Sequence, residues 1–180
     1  MRLLFPKPYA DFVARLRVPS GFALVAAFAW FSHPDARALA YGLPVSLIGL
    51  AVRAWAAGHL AKNESLAASG PYAYTRNPLY LGTLLVAAGL ALASRSAGLG
   101  ALFAAVFLCI YLPVIQLEQQ HLRSLFPDYA AYAARVPALL PRMTPAGQSR
   151  AFQWALYMKN REYQAAAGFL AGALFLLWKA

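Results

Sequence analysis

Residues 79–116, LYLGTLLVAAGLALASRSAGLGALFAAVFLCIYLPVIQ, decide the fold class of this chain. They contain two apolar segments, 79–94 and 97–116, which carry no charge and are separated only by Arg95 and Ser96. A bilayer core of about 30 Å needs roughly 20 apolar residues in a helix, so this stretch predicts a pair of membrane helices joined by a short polar turn. The sequence leaves open whether both helices cross fully or one is partly buried.

Three further apolar segments predict additional crossings. They are residues 18–32, 38–58 and 164–178, of which the first and last are short for a span. The whole chain is 61% hydrophobic and 12% charged, against about 25% charged residues in a typical soluble domain. We therefore predict an all-α, polytopic membrane bundle of about five helices that forms a single domain over residues 1–180.

The distribution of basic residues predicts the orientation of the bundle. A net charge of +10 would suggest nucleic acid binding in a soluble chain, but basic residues beside apolar segments are typical of contact with anionic lipid headgroups. In the five-helix topology thirteen Lys and Arg residues fall on one side, and only Arg37, Arg95 and Lys179 fall on the other. The positive-inside rule then places the N-terminus in the cytoplasm, and we expect the protein to lie in the inner (cytoplasmic) membrane. We expect the N-terminal segment to be retained, because prolines and charges break its apolar run.

A first polar cluster, residues 69–82 (SGPYAYTRNPLYLG), lies on the strongly basic side. Gly70-Pro71 predicts a turn, and Asn77-Pro78 predicts the start of the third helix. A helix N-terminus with free N–H groups beside Arg76 is a natural seat for an anionic group. The alternative is an interfacial loop whose tyrosines and arginine only anchor the chain in the membrane.

A second polar cluster, residues 117–142, begins with Glu118 at the edge of the fourth apolar segment. Glu118 and His121 share one helix face, and a carboxylate at that depth is costly unless it is paired. The candidate partners are Arg53, Arg76 and Arg135. Arg53 lies inside the second segment, where an arginine costs about 2.5–3.5 kcal/mol on insertion scales, and it either extends to the interface or faces Glu118. His121 has the alternative of being a solvated interfacial side chain.

No metal-binding pattern is visible, because the three histidines are far apart in the chain. Walker A, GxGxxG and GxSxG motifs are likewise missing from the sequence.

In these two clusters the sequence resembles the isoprenylcysteine carboxyl methyltransferases and the related phospholipid methyltransferases. The resemblance covers residues 45–142, with the C-terminal helix 164–178 outside it. Two positions depart from the family pattern, since Asn77 replaces a histidine and Gln119 replaces the second of two glutamates. The matching residues are Gly70-Pro71-Tyr72, Arg76-Asn77-Pro78-Leu79-Tyr80-Leu81-Gly82, Glu118-Gln119, Leu122, Phe126-Pro127, Tyr129, Tyr132, Arg135-Val136-Pro137 and Pro141.

The resemblance implies methyl transfer from S-adenosylmethionine to a lipophilic acceptor, with the cofactor in a cytoplasm-facing cavity and no metal. The acceptor stays open between a prenylated cysteine carboxylate, a lipid amine and a small lipophilic thiol or acid. By this reading Arg76, Glu118 and Arg135 are the catalytic residues, and Arg53, Tyr129, Tyr132 and Arg135 bind the acceptor. The implied cofactor-binding residues are Gly70, Pro71, Tyr72, Arg76, Asn77, Tyr80, Glu118 and His121.

Two other functions are compatible with the same residues. One is an NADPH-dependent membrane reductase similar to the steroid 5-alpha-reductases, whose fold resembles that of these methyltransferases. The other is a non-catalytic membrane protein that retains the fold, which the changes at Asn77 and Gln119 favour. Membrane lipids are expected partners in every case, and nucleic acid is not.

Overall fold

The computed structural model describes residues 4–147 and 150–180, and within these ranges every regular element is helical. A 3₁₀ turn at Gly70–Ala73 precedes the third long helix, and a π-helical segment at Phe107–Tyr111 joins α4 to α5. The α-helices are α1 (Lys7–Phe31), α2 (Ala36–Ala57), α3 (Pro78–Ser94), α4 (Ala97–Val106), α5 (Leu112–Leu125), α6 (Tyr129–Arg135), α7 (Trp154–Lys159) and α8 (Tyr163–Lys179).

Three helices in the described ranges are long and apolar enough to cross a membrane. They are α1, α2 and the continuous 29-residue helix Ala97–Leu125, which contains α4, the π segment and α5. α3 is apolar but has 17 residues, and α8 also has 17 residues. An all-helical fold with three candidate membrane-spanning helices is therefore confirmed, whereas the count of five crossings stays a prediction. α1 begins at Lys7, eleven residues before the predicted segment 18–32.

Glycines bring α2 and α3 into direct backbone contact. Gly42 lies opposite Gly89, and Gly49 lies opposite Gly82, in an antiparallel crossing. A Cβ atom on Gly49 would lie 2.6 Å from the Gly82 carbonyl oxygen, so no larger residue fits without moving a helix. Small residues permit this approach where lipid provides no hydrophobic driving force between helices.

The two ends of the bundle differ in charge. At one end Lys179 donates to the carbonyl of Ala29 (2.9 Å), and Arg95 pairs with Asp35 (2.5 Å). Arg37, in the first turn of α2, completes the three basic residues that the sequence placed together. The two polar clusters lie at the opposite end, where α2 ends and α3 begins. Arg37, Arg95 and Lys179 therefore lie together at the end away from the polar clusters, and which end faces the cytoplasm stays a prediction.

Pro113 lies two residues after the π segment in the long helix. Proline has no N–H, so the Cys109 carbonyl four residues earlier lacks its usual helical donor. The hydroxyl of Tyr9 in α1 donates to that carbonyl at 2.8 Å. Gln116 then binds the chain before α1, accepting from the N–H groups of Leu4 and Phe5. The Tyr9 bond therefore replaces the one that the proline removes, and the Gln116 bonds attach the residues before α1 to α5.

Candidate functional site

A cavity of about 540 Å³ lies at the end of the bundle that carries the polar clusters. Its walls come from α1, the end of α2, the segment 60–67, the start of α3, α5, α6 and the residues before α8. Three of the residues that the sequence predicted for the site, Gly70, Pro71 and Arg135, do not line it. The predicted residues that do line it are Arg53, Tyr72, Arg76, Asn77, Tyr80, Glu118, His121, Tyr129 and Tyr132.

Main-chain carbonyls after α6 hold the start of α3 in place. The segment 72–77 lies alongside the segment 132–139, and this contact brings the two polar clusters together. Asn77, where the resembling family has histidine, uses its side-chain amide for this purpose. The hydrogen bonds run from Arg76 N to Pro137 O (2.9 Å), from Asn77 Nδ2 to Ala138 O (2.6 Å), from Thr75 Oγ1 to Leu139 O (3.0 Å) and from Tyr132 OH to Tyr72 O (2.8 Å).

Arg76 presents an unsatisfied donor in the cavity wall. Its Nε atom is buried and bonds no group in residues 4–147 or 150–180. Its Nη1 atom lies 3.5 Å from the hydroxyl of Tyr129, at the limit of a hydrogen bond. A buried donor without a partner costs roughly 1–3 kcal/mol, so this guanidinium is suited to receive an anionic ligand.

Three tyrosines form an aromatic wall beside Arg76. The rings of Tyr129 and Tyr132 meet edge to face with centroids 6.1 Å apart, and Tyr72 is 6% exposed. Burial raises the pKa of Tyr72, Tyr129 and Tyr132 above the ordinary value for a phenol. The hydroxyls therefore stay protonated at neutral pH and can donate hydrogen bonds. Their ring faces can hold a flat or cationic group.

Glu118 has partners that the sequence did not predict. Its Oε1 atom accepts from the Tyr80 hydroxyl at 2.8 Å and lies 3.7 Å from Nη1 of Arg17 in α1. The prediction that Arg53, Arg76 or Arg135 pairs with Glu118 is wrong. The Glu118 side chain is about half exposed, so its ion pair with Arg17 contributes little to stability. His121 lines the cavity one turn further along α5.

Arg53 pairs with Glu162, the residue immediately before α8. The Arg53 Nε atom lies 2.5 Å from Glu162 Oε1, and Nη1 donates to Thr83 Oγ1 at 2.5 Å. The carboxylate that pairs with Arg53 is therefore Glu162 and not Glu118, and the alternative that Arg53 extends to the interface stays a prediction. Its side chain is 22% exposed and that of Glu162 is 9% exposed, so the pair is largely removed from water.

Gly70, Pro71 and Arg135 lie outside the cavity lining. Gly70 has φ +56°, and a Cβ atom there would lie 2.6 Å from the ring of His59. Glycine is thus required both for the left-handed turn and for the approach of the histidine. His59 Nδ1 lies 3.1 Å from Ser69 Oγ, and burial lowers the pKa of His59, with a smaller contribution from Arg150. Arg135 is exposed, and its Nε donates to Ala131 O in its own helix.

An apolar groove of about 770 Å³ adjoins the polar cavity. Its walls come from α1, α3, α4 with the π segment, and α8. Thr83 and Tyr111 line both the groove and the cavity, which makes them the junction between the two spaces. Gly168 and Gly172 of α8 line the groove, and a Cβ atom on either would meet nothing within 4 Å. No group of three or more His, Cys, Asp or Glu side chains able to hold a metal ion occurs in the described ranges.

Comparison with known proteins gives one family and two related proteins. The model of the phospholipid methyltransferase family matches residues 39–129. The chain is 38% identical over 105 residues to the cobalt-zinc-cadmium resistance protein CzcN of Cupriavidus metallidurans, covering 57% of this chain and 47% of that protein. It is 30% identical over 151 residues to the nickel-cobalt-cadmium resistance protein NccN of Alcaligenes xylosoxydans xylosoxydans, covering 77% of this chain and 71% of that protein. The chain thus spans about half of the first relative, and no solved structure matches it.

Proposed function

The chain belongs to the phospholipid methyltransferase family, and on that premise we propose that it transfers a methyl group from S-adenosylmethionine to a lipophilic acceptor. One observation carries the proposal. A polar cavity lined by Arg76, whose buried Nε has no partner in residues 4–147 and 150–180, shares Thr83 and Tyr111 with an apolar groove between the helices. A reaction between a charged cofactor and a lipid-soluble acceptor needs these two environments side by side.

The residues of the cavity fit the chemical groups of S-adenosylmethionine. The cofactor supplies a methyl group on a sulfonium, which makes it an activated donor. Arg76 Nε would bind the carboxylate of the cofactor by a charge-assisted hydrogen bond. The faces of Tyr72, Tyr129 and Tyr132 would hold the adenine and the sulfonium. Glu118 would accept hydrogen bonds from the ammonium or from the ribose hydroxyls.

The groove would hold the apolar part of the acceptor. Its lining is almost entirely aliphatic and aromatic, so a hydrocarbon chain that leaves the bilayer for the groove keeps apolar surroundings. The polar end of the acceptor would then reach the cavity between Thr83 and Tyr111. The contribution of the protein is alignment of the nucleophile with the methyl group. A carboxylate acceptor needs no base, whereas an amine or thiol would lose its proton to His121 or Glu118.

The charge of the bundle supports a cytoplasmic orientation for this cavity. The basic residues outnumber the acidic ones at this end, and the cavity lining itself includes four basic and two acidic side chains. We propose that the end with the cavity faces the cytoplasm, where S-adenosylmethionine is made, and that α3 and α8 complete five crossings. An inner membrane is the corresponding location.

A second candidate function is a non-catalytic part of a metal-resistance system. The names of the two relatives, which refer to resistance to cobalt, zinc, cadmium and nickel, favour it. The replacement of the family histidine by Asn77 favours it too, because the Asn77 amide here supports the backbone of residue 138. This function predicts no binding of S-adenosylhomocysteine, so a binding measurement with that compound separates the two candidate functions.

Isothermal titration of the purified protein with S-adenosylhomocysteine tests the proposal. We expect the wild type to bind, and Arg76→Ala to bind about 10–100-fold more weakly, which corresponds to loss of a charged hydrogen bond of roughly 1.5–3 kcal/mol. Glu118→Ala should abolish measurable binding. Arg37→Ala, at the opposite end of the bundle, is the matched control and should bind like the wild type. Absence of binding by the wild type would exclude the methyltransferase.

A further inference from the structure

Residues 159–162, here named the C-terminal clamp, contact the edge of the cavity through side chains. Lys159 Nζ pairs with Glu64 at 2.5 Å, and Asn160 Nδ2 donates to the carbonyls of Ala57 (3.0 Å) and Leu60 (2.8 Å). Arg161 has φ +53°, a left-handed turn that ends α7 and directs the chain into α8. The clamp lies outside the residues that the family model matches, so the family does not assign it a role.

The fourth clamp residue, Glu162, binds Arg53. Arg53 extends over α3, where a Cβ atom on Gly82 would lie 2.5 Å from Arg53 Cγ. Nη1 of Arg53 is bonded to Thr83 Oγ1 and, at 3.4 Å, to the Leu79 carbonyl. The hydrogen bonds of Arg53 within residues 4–147 and 150–180 thus run from Nε and Nη1. Glu162 therefore completes the anchoring of the guanidinium and leaves one amino group for a ligand.

The position of Arg53 connects this ion pair with the junction. Thr83, to which Arg53 is bonded, lines both the polar cavity and the apolar groove. A lipophilic acceptor that lies in the groove must place its polar end beside this threonine. A guanidinium held there can bind an acceptor oxygen, since its amino groups form hydrogen bonds with carboxylate and phosphate oxygens.

We propose that Glu162 is a positioning residue, which holds Arg53 at the junction so that Arg53 binds the oxygen-bearing polar end of the acceptor. The inference rests on the proposed methyl transfer and adds to it a function for the C-terminal clamp. Without Glu162, Arg53 is an unpaired charge inside an apolar helix, and its long side chain turns toward water. The acceptor then loses its orientation, whereas the site around Arg76 is unchanged.

The experiment compares Glu162→Gln with the wild type in two measurements. In the first, membranes containing the protein receive S-adenosylmethionine labelled in its methyl group, and label is counted in the organic extract. We expect the maximal rate to fall about 10–100-fold, the scale of a misplacement of roughly 1 Å, with the KM for S-adenosylmethionine and the affinity for S-adenosylhomocysteine unchanged. In the second, phenylglyoxal modification of Arg53 is followed by mass spectrometry, and we expect it to be several-fold faster in the variant.

Two further variants make the result specific. Asp35→Asn is the matched control, because it makes the same acid-to-amide change in the exposed ion pair with Arg95 and keeps a good helix cap. It should transfer label at the wild-type rate. Glu162→Asp retains the charge, so it should recover part of the rate. If Glu162→Gln does not fold, Glu162→Asp tests the proposal instead. A lowered rate of transfer with unchanged affinity for S-adenosylhomocysteine would then support the positioning role of Glu162.

The inference is overturned if Arg53 reacts equally in the wild type and in Glu162→Gln. It is also overturned if Glu162→Gln transfers label at the full rate, or if its only change is a higher KM for S-adenosylmethionine. Failure of the wild type to bind S-adenosylhomocysteine and to transfer label has a different meaning. That result removes the proposed function and with it the acceptor-binding role, and the phenylglyoxal measurement still decides whether Glu162 holds Arg53.

Discussion

Replacement of Gly49 by alanine should separate α2 from α3. The added Cβ would lie 2.6 Å from Gly82 O, 2.7 Å from Val86 N and 2.9 Å from Leu85 Cβ. None of these atoms can rotate away, and ordinary van der Waals contact begins at 3.4 Å, so the backbones must move apart by about 0.8 Å. Overpacking of this kind costs roughly 1–3 kcal/mol.

The matched control is Gly172→Ala in α8, where the new Cβ would meet nothing within 4 Å. Both substitutions gain about 0.5–1 kcal/mol from the better helix preference of alanine, so the difference between the variants isolates the packing loss. Equilibrium unfolding in mixed micelles with increasing SDS, followed by far-ultraviolet circular dichroism, measures the free energy of unfolding. Gly49→Ala should be less stable than Gly172→Ala by about 1–3 kcal/mol. Equal stabilities would refute the close crossing of α2 and α3.

Three other predictions concern single side chains. Tyr9→Phe removes the donor to the Cys109 carbonyl and should lower the free energy of unfolding by about 1 kcal/mol in the same assay, and an unchanged value would show that the bond contributes nothing. The folded state has a lowered pKa at His59, so the stabilising contribution of the neutral ring is present above pH 6.5 and is lost as the pH falls from 6.5 toward that lower pKa. His59→Gln should flatten this part of the curve of unfolding free energy against pH. An identical curve would contradict the lowered pKa of His59. Arg135→Ala should leave S-adenosylhomocysteine affinity within about twofold of the wild type by titration, because its side chain is exposed and lies outside the cavity. A larger loss would show that Arg135 contacts the cofactor.

The broad architecture follows from hydropathy because lipid imposes one requirement on every segment. An apolar run that satisfies its own backbone must be helical, so the charge-free segments 79–94 and 97–116 predicted α3 and the first part of the long helix. The N-terminal boundary was missed because α1 continues through a segment that contains charges and Pro19. The hydrogen bonds that join this end of the chain to the long helix Ala97–Leu125 involve Tyr9 and Gln116. Neither residue type predicts such a partner, because tyrosine and glutamine are equally common at solvated positions.

The site was predictable where its residues lie within one motif. Arg76, Asn77 and Tyr80 are close in sequence, at the start of the helix that begins at Pro78, and all three line the cavity. The carboxylate partners were not predictable in this way. Glu118 pairs with Arg17, and Arg53 pairs with Glu162. The partners in each pair lie about 100 positions apart in the chain, and the sequence alone does not show which of the many possible partners is chosen. The available signal for Glu162 was its position directly before an apolar helix, where an unpaired carboxylate is costly.

The small residues of the chain illustrate the same limit. Small residues in an apolar helix predict tight helix packing, and Gly82 and Gly89 of α3 do pack tightly against α2. The glycines of α8 carry the same expectation, which is wrong for Gly168 and Gly172 because they line the apolar groove. A glycine in a membrane helix permits close approach, but only the neighbouring helix determines whether the space is filled.

The Arg53–Glu162 ion pair has a consequence for biosynthesis. The two residues are separated by 109 positions, so Arg53 is synthesised and α2 meets the membrane long before Glu162 exists. At about 5–20 residues per second, that interval is roughly 5–22 s. During this time the arginine must keep its charge at the membrane surface, which its long side chain permits. Insertion of α2 and completion of the cavity wall are therefore separate events, and the second requires synthesis of Asn160 and Glu162.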